Sequence, residues 1–359
     1  HAQGIDVATR HAGDKVVFVT PVDIQTYDRR TGDGIARREL RFPAGTGPVS
    51  DGQRIYFGGL DARLHCHDVE SLMRDWRIGI EGPVSSTPVL FGNAVFCAGQ
   101  GRAVIAATLP HRAFRWHNDV NGVVSADLVA YENRVYVACE DQSLYCFDVL
   151  SGARVWRTLF SAPLREPPFP TPKVVFQYAD GEGLVAIDTG LPQETEKRVK
   201  WALPDARHAL ALHEDTLFAL GAAGDLLAVG RDPGAILHAV PLDGMTIGIP
   251  ISDQPTVLLA AADGRLACLR PKGVPLLRIE DVRASLGGKQ ETAKDAIAGM
   301  TRVVARELAK YGITVNAIAP VAQTRMIASV PRDKQQAAQA ARGIVTPKAS
   351  AASTIGEPD

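Results

Sequence analysis

A repeat of forty residues runs through most of this chain and constrains its fold more than any other feature. Trp76, Trp116 and Trp156 are spaced by forty residues. Four aspartates, each at the end of a strand-like segment, fall at multiples of the same spacing: Asp28, Asp68, Asp148 and Asp188. Weaker versions of the unit end near residues 108, 230 and 270. The pattern therefore predicts seven units between about residue 4 and residue 281.

Each unit contains four short strand-like segments separated by turn residues. In the fourth unit, SADLVAYENRVYVAC is followed by QSLYCFD and ARVW, with Glu132-Asn133 and Ser151-Gly152 as hairpin turns. Repeated four-stranded units of about forty residues are typical of a β-propeller, whose blades pack around a channel. The sequence therefore predicts an all-β, seven-bladed propeller over residues 4–281. A β-sandwich with coincidental spacing is the alternative.

One segment also carries a family resemblance. Residues 143–156, SLYCFDVLSGARVW, resemble the PQQ-like (quinoprotein-type) propeller repeat, whose pattern is approximately G-x-L-Y-A-L-D-x-x-T-G-x-x-x-W. Thr108 replaces the aspartate in the third unit, and the last two units lack both the aspartate and the tryptophan. The resemblance implies that the Asp and Gly form a turn and that the Trp packs between blades, which supports a fold but no chemistry. It also favours an extracytoplasmic location.

Composition excludes several classes of protein. The chain has 359 residues, 46% of them apolar, with 39 basic and 40 acidic residues, so it offers no bulk charge for nucleic acid. It has no apolar run long enough to span a bilayer and too few cysteines for a disulfide scaffold. Because the first residue is His1, we expect a processed or truncated N-terminus, which leaves the compartment open.

The C-terminal part departs from the repeat. Residues 282–359 hold 11 basic and 6 acidic residues, whereas residues 1–281 hold 28 and 34. We expect an appendage over residues 282–330, with an amphipathic helix at 291–311 and a strand at 313–320, and a disordered tail over residues 331–359. The helix is predicted to dock its apolar face on the side or end of the propeller.

Residues 294–326, KDAIAGMTRVVARELAKYGITVNAIAPVAQTRM, are similar to the late part of short-chain dehydrogenases/reductases. The resemblance places Lys294 at the catalytic lysine and Thr324 near a threonine that contacts the cofactor. However, Gln290 occupies the tyrosine position and Val321 the usual glycine. The Gly-rich dinucleotide-binding turn is also absent from the sequence, so reductase activity is not expected.

Candidate ligand-binding residues are the polar residues at the start of each innermost strand, because these strands line the channel. They are Ser86, Thr87, Ser125, Thr171 and Arg207. Asp127 and His208 are candidate acid/base groups. The basic pair Arg207 and His208 suits a carboxylate or phosphate if Asp127 does not already neutralise it. The alternative is that these side chains bond loop carbonyls.

Two further pairs have open interpretations. His65 and His67 share one face of a strand, as a metal site would require, but they occupy the same register as Tyr145 and Phe147 and are expected to be packing residues. Cys139 and Cys146 flank one hairpin and could form a cross-strand disulfide. The sequence favours the alternative, in which both are free buried thiols. The five prolines of 161–173 predict an exposed loop at one rim.

No catalytic signature such as C-x-x-C-H, H-E-x-x-H or G-x-S-x-G occurs in the sequence. No cofactor is therefore predicted, and PQQ is implied by the resemblance alone. We expect a non-catalytic scaffold or binding protein whose channel mouth or rim contacts a protein, a peptide or a small molecule. The alternative is an enzyme at the channel mouth, either a hydrolase or lyase or a quinone-dependent oxidoreductase.

Overall fold

The fold consists of β-strands throughout the described residues. The structure, a computed structural model, describes residues 8–12, 14–110, 113–192, 198–250, 256–263 and 265–269. These residues form 27 strands and no helix, so they contain no helix that could cross a membrane. All of them belong to one compact unit.

The strands form seven antiparallel sheets in chain order, six with four strands and a seventh with three described strands. Sheet one contains β1 (Ala8–Ala12), β2 (Lys15–Val19), β3 (Asp23–Asp28) and β4 (Gly34–Glu39). Sheet two contains β5 (Val49–Ser50), β6 (Arg54–Gly59), β7 (Arg63–Asp68) and β8 (Arg74–Gly79). Sheet three contains β9 (Val89–Phe91), β10 (Ala94–Ala98), β11 (Ala103–Thr108) and β12 (Ala113–Asp119).

The remaining sheets repeat this order. Sheet four contains β13 (Val129–Tyr131), β14 (Arg134–Cys139), β15 (Ser143–Asp148) and β16 (Arg154–Leu159). Sheet five contains β17 (Phe169–Thr171), β18 (Val174–Ala179), β19 (Gly183–Asp188) and β20 (Val199–Leu203). Sheet six contains β21 (Ala206–His213), β22 (Thr216–Gly221), β23 (Asp225–Gly230) and β24 (Ile236–Pro241). Sheet seven contains β25 (Met245–Ile249), β26 (Val257–Ala261) and β27 (Leu266–Leu269).

Apolar layers hold neighbouring sheets together. The second and third strands of the first five sheets are buried along most of their length, and in sheets two to five both faces pack on a neighbouring sheet. Sheets three and four, for example, share a core that contains Phe96, Trp116, Val137 and Tyr145. Equivalent cores join sheets one and two, two and three, four and five, five and six, and six and seven. The sheets therefore pack face to face in chain order, as propeller blades do.

The first strand of each sheet lies on the inside of this arrangement. Each contacts the first strand of the next sheet, from β1 to β5 and onward to β25. These strands are short in sheets two to five, where β5, β9, β13 and β17 have two or three residues each. The loops that precede them therefore line the central region, which is where the sequence placed its candidate binding residues.

The repeated aspartates form turns, as the resemblance implied. The Asp148 Oδ1 accepts hydrogen bonds from the backbone N–H groups of Leu150 and Ser151, at 3.1 and 2.9 Å. This Asx turn places Gly152 at a φ of 72°. Asp68 accepts from the Ser71 N–H in the same way. These residues connect the third and fourth strands of their sheets, so their role is structural.

The cysteines are free thiols. Cys139 lies opposite Ser143 and Cys146 lies opposite Tyr136 in the β14–β15 register, so the two are not cross-strand partners. They also pack in different cores, on opposite faces of sheet four. The cross-strand disulfide is therefore wrong, and the favoured alternative of buried free thiols is confirmed.

The proline-rich segment 161–173 is only partly the exposed loop predicted from its sequence. Its second half forms β17, where Phe169, Pro170 and Thr171 are all buried. Prolines have no N–H group to donate, so a strand of three residues at the inner edge of a sheet tolerates one here. The predicted helix at 291–311, the strand at 313–320, the tail from 331 and the end of the seventh unit lie outside the described residues.

Candidate functional site

The candidate site is a pocket of about 500 Å³ on the inner side of sheets four to seven. Its walls are mainly apolar and include four prolines: Pro167, Pro168, Pro170 and Pro250. Buried aromatic rings of Phe169 and Phe176 lie at the pocket, on β17 and β18. One acidic and two basic side chains join this apolar lining: Glu166, Arg207 and His208. An apolar pocket with a few polar groups is the usual form of a ligand site.

Arg207 is held by an aromatic ring rather than by a carboxylate. Its guanidinium carbon lies 5.5 Å from the centre of the Tyr178 ring. A hydrogen bond with the Tyr178 side chain raises the pKa of Arg207, and the charges of Glu166 and Asp180 raise it further. Arg207 is exposed and forms no ion pair with any described Asp or Glu. The guanidinium group lines the pocket and carries several N–H donors.

His208 is the second polar group, and Glu166 positions it. The His208 Nδ1 lies 3.3 Å from the Glu166 Oε2. The imidazole also packs 6.1 Å from the Tyr178 ring, centre to centre. Tyr178 in turn donates its hydroxyl to Asp180 at 2.9 Å. Arg207 and His208 thus share Tyr178 as a support, and both belong to β21.

The forty-residue period explains why Arg207 lies in the central region. Thr87, Asp127, Pro167 and Arg207 are spaced by forty residues, so they hold equivalent places before or within the first strands of sheets three to six. The Thr87 N–H donates to the Asp127 Oδ1 at 2.7 Å, which links two of these places directly. Asp127 does not line the pocket and forms no ion pair with Arg207. It therefore does not neutralise Arg207.

The other predicted ligand residues have local partners. Ser86 is fully buried and donates its hydroxyl to the Ala98 carbonyl at 3.2 Å. The Ser125 hydroxyl donates to Glu140 at 2.7 Å, and the Thr171 hydroxyl donates to the Val174 carbonyl at 2.7 Å. None of these three, nor Thr87, lines the pocket. Of the sequence candidates, the structure brings together Arg207 and His208 and places the others elsewhere.

Sequence reasoning missed Glu166, Tyr178 and the proline wall. A signal for Glu166 was present, because it precedes Pro167, which shares the register of Asp127 and Arg207. The inner strand after Glu166 was difficult to recognise, because its prolines interrupt the alternation of apolar residues that marks the other inner strands. Tyr178 gave no signal, because aromatic residues at alternating strand positions are ordinary core residues.

His65 and His67 lie in the core between sheets one and two. The His65 ring stacks on Phe42 at 3.7 Å and its Nε2 lies 2.9 Å from the Asp61 Oδ1. The His67 Nδ1 lies 3.0 Å from the Leu72 carbonyl. Burial lowers the pKa of both rings, in the case of His67 to about 4. Both are neutral packing residues at pH 7.

The described pocket lining does not fit PQQ. This cofactor carries three carboxylates, whereas Arg207 is the sole arginine or lysine among the described lining residues. No group of three or more His, Cys, Asp or Glu side chains suited to a metal ion occurs in the described residues either.

Comparisons with known proteins agree with this architecture. Residues 22–109 and 104–193 match the family model described as outer membrane protein assembly factor BamB. Residues 286–357 match the model for enoyl-(acyl carrier protein) reductase, which agrees with the resemblance found in the sequence. No curated protein matches the chain.

Two solved structures have a similar fold. BamB from Moraxella catarrhalis superposes with a TM-score of 0.59 at 16% identity, covering 77% of this chain and 85% of the other. The computationally designed protein Ika8 superposes with a TM-score of 0.58 at 15% identity, covering 74% and 83%. These identities establish the fold alone. The described part of the chain therefore has a β-propeller fold, residues 22–193 match a PQQ-like repeat family, and residues 286–357 resemble a reductase segment.

Proposed function

We propose that this protein is a non-catalytic binding protein that holds an apolar segment bearing an anionic group in the pocket of sheets four to seven. The observation that carries the proposal is Arg207, which lines an apolar pocket and has no carboxylate within ion-pair distance among the described residues, although the charges of Glu166 and Asp180 act on it. A charge-assisted bond from an arginine to a carboxylate is stronger than a neutral hydrogen bond. The proline and phenylalanine walls supply the apolar contact.

A peptide or protein segment suits this pocket better than a large cofactor. The volume of about 500 Å³ accommodates a few side chains. Rigid proline walls also lose little conformational entropy when a ligand binds. The matched family is described as an outer membrane protein assembly factor, and that description supports a role in protein binding.

The test is a peptide array probed with the purified protein. Peptides with Phe, Tyr or Leu beside an Asp, Glu or free C-terminal carboxylate are expected to bind, and matched peptides with Asn, Gln or an amidated C-terminus are expected to bind at least tenfold more weakly. Arg207→Ala should abolish the difference. Binding that does not depend on the carboxylate would contradict the proposal.

One observation favours the enzymatic alternative. Glu166 and His208 form a carboxylate–imidazole pair within the pocket, which is an arrangement that general bases use. Asp127, the acid/base partner expected from the sequence, does not line the pocket. A screen of ester and lyase substrates tests this alternative. The enzymatic alternative requires that wild type turns over one of these substrates and that His208→Ala does not. The melting temperature of the variant should stay within about 2 °C of wild type.

A further inference from the structure

Sheet seven is covered by a described sheet on one face only. Val257 and Leu259 on β26 are buried in the core shared with sheet six. Gly248 on β25 faces the same way, because a Cβ added there would collide with the Leu210 side chain. Residues that alternate with these therefore point to the opposite face.

The opposite face is apolar and exposed. Leu258 lies across from Ile249 and Cys268, and Ala260 lies across from Leu266. Directly opposed residues in antiparallel strands share a face, so these five residues form one surface, the open face. Leu266 is 63% exposed and Ile249 is 47% exposed.

Apart from the outer face of sheet one, no other sheet face lacks a described neighbouring sheet. Sheets two to six each pack both faces on neighbouring sheets. A contiguous apolar sheet surface left in water promotes association and aggregation. The open face therefore requires a covering partner.

We propose that the amphipathic segment 291–311 of this same chain covers the open face. Its apolar residues recur at helical spacing: Ala293, Ile297, Met300, Val304, Leu308 and Tyr311. The segment follows β27 in the chain, and β27 carries Leu266 and Cys268. The twenty-one residues from 270 to 290 span up to about 70 Å when extended, which is ample reach.

Two considerations favour this segment over a second copy of the protein. A tethered segment has an effective concentration of about a millimolar, far above that of a second molecule in dilute solution. Charge also favours it, since residues 282–359 have a net charge of +5 and residues 1–281 a net charge of −6. Leu266 and Cys268 of the open face do not line the pocket, whereas Ile247, which lies across from Ala260, borders both surfaces.

Cys268 provides a direct test. It is exposed in the open face, whereas Cys66, Cys97, Cys139 and Cys146 are buried. The experiment measures the rate of maleimide labelling of Cys268 in the native full chain, with the denatured protein as the reference. A covered face predicts labelling at least tenfold slower than the reference.

Two variants of the full chain distinguish the occupants. Val304→Asp lies on the apolar stripe and should restore fast labelling, whereas Ala309→Asp adds the same charge off the stripe and should leave Cys268 protected. Equally fast labelling of wild type and both variants would overturn the proposal. Protection that survives Val304→Asp and disappears on dilution would also overturn it, in favour of a second copy.

Limited trypsin digestion provides a second readout that does not depend on the variants. Docking predicts slow cleavage at Arg302, Arg306 and Lys310 in wild type and fast cleavage in a Leu266→Asp variant. Circular dichroism and melting temperature show whether the propeller of each variant is intact. Cleavage of wild type and Leu266→Asp at the same rate would contradict the proposal.

Discussion

Trp116 of sheet three lies directly against Gly152 of sheet four. Its indole Nε1 donates to the Val149 carbonyl at 3.0 Å, and a Cβ built at Gly152 would lie 2.5 Å from the ring. Trp201 of sheet five repeats the arrangement with the Arg231 carbonyl, at 2.9 Å, in sheet six. The repeated tryptophan therefore joins each of these sheets to the turn between the third and fourth strands of the next.

Gly152→Ala is expected to destabilise the propeller by about 3 kcal/mol. The positive φ of 72° costs an alanine about 1 kcal/mol, and displacement of the Trp116 ring adds about 2 kcal/mol. Gly181→Ala is the matched control, because Gly181 has a φ of 84° and nothing within 4 Å of its Cβ position. Urea denaturation measures both variants. An equal decrease in unfolding free energy for Gly152→Ala and Gly181→Ala would show that the contact with Trp116 contributes nothing.

Asp148→Ala is expected to lower the unfolding free energy by about 1 to 2 kcal/mol. The substitution leaves the Leu150 and Ser151 N–H groups without their acceptor and removes the ion pair with Arg134, at 2.9 Å. Asp148→Asn keeps an oxygen acceptor and should cost less than half as much. A loss for the asparagine variant as large as that for alanine would assign the effect to the ion pair.

His67 should make the propeller less stable in acid. Burial lowers its folded pKa to about 4, below the usual 6.5, so the unfolded chain binds the proton more tightly. The contribution of neutral His67 to the unfolding free energy is fully present above pH 6.5. It is lost as the pH falls towards 4, and the total loss is about 3 kcal/mol. Phe147 occupies the equivalent position in sheet four. The His67→Phe variant is therefore expected to lose less stability than wild type between pH 7 and pH 4. Urea midpoints between pH 7 and pH 4 measure it. A parallel pH dependence in the variant would contradict the assignment.

Much of the fold could be predicted from the sequence, because the residues that recur every forty positions each have a local structural role. Asp148 and Gly152 specify a turn, and Trp156 specifies the contact with the next sheet. The segments DIQTYD and SLYCFD coincide with β3 and β15. Arg207 and His208 were found because the period places them before or within an inner strand.

The remainder depends on contacts between sheets that leave no periodic pattern. Glu166 reaches His208 from a neighbouring sheet, and the prolines around it hide the strand to which it leads. The open face could not be recognised either, because Leu258 and Leu266 have the alternation of ordinary buried strand residues. Their exposure follows from the position of sheet seven as the last described sheet.

The central claim is that Arg207 binds the anionic group of a ligand in the pocket. Isothermal titration calorimetry with the best carboxylate peptide from the array tests it in wild type, Arg207→Ala and Arg77→Ala. Arg77 is an exposed arginine on β8, away from the pocket. Arg207→Ala is expected to raise Kd by about 10- to 100-fold, the equivalent of one charge-assisted bond, and Arg77→Ala is expected to leave Kd unchanged. Unchanged affinity in Arg207→Ala, or equal losses in both variants, would contradict it.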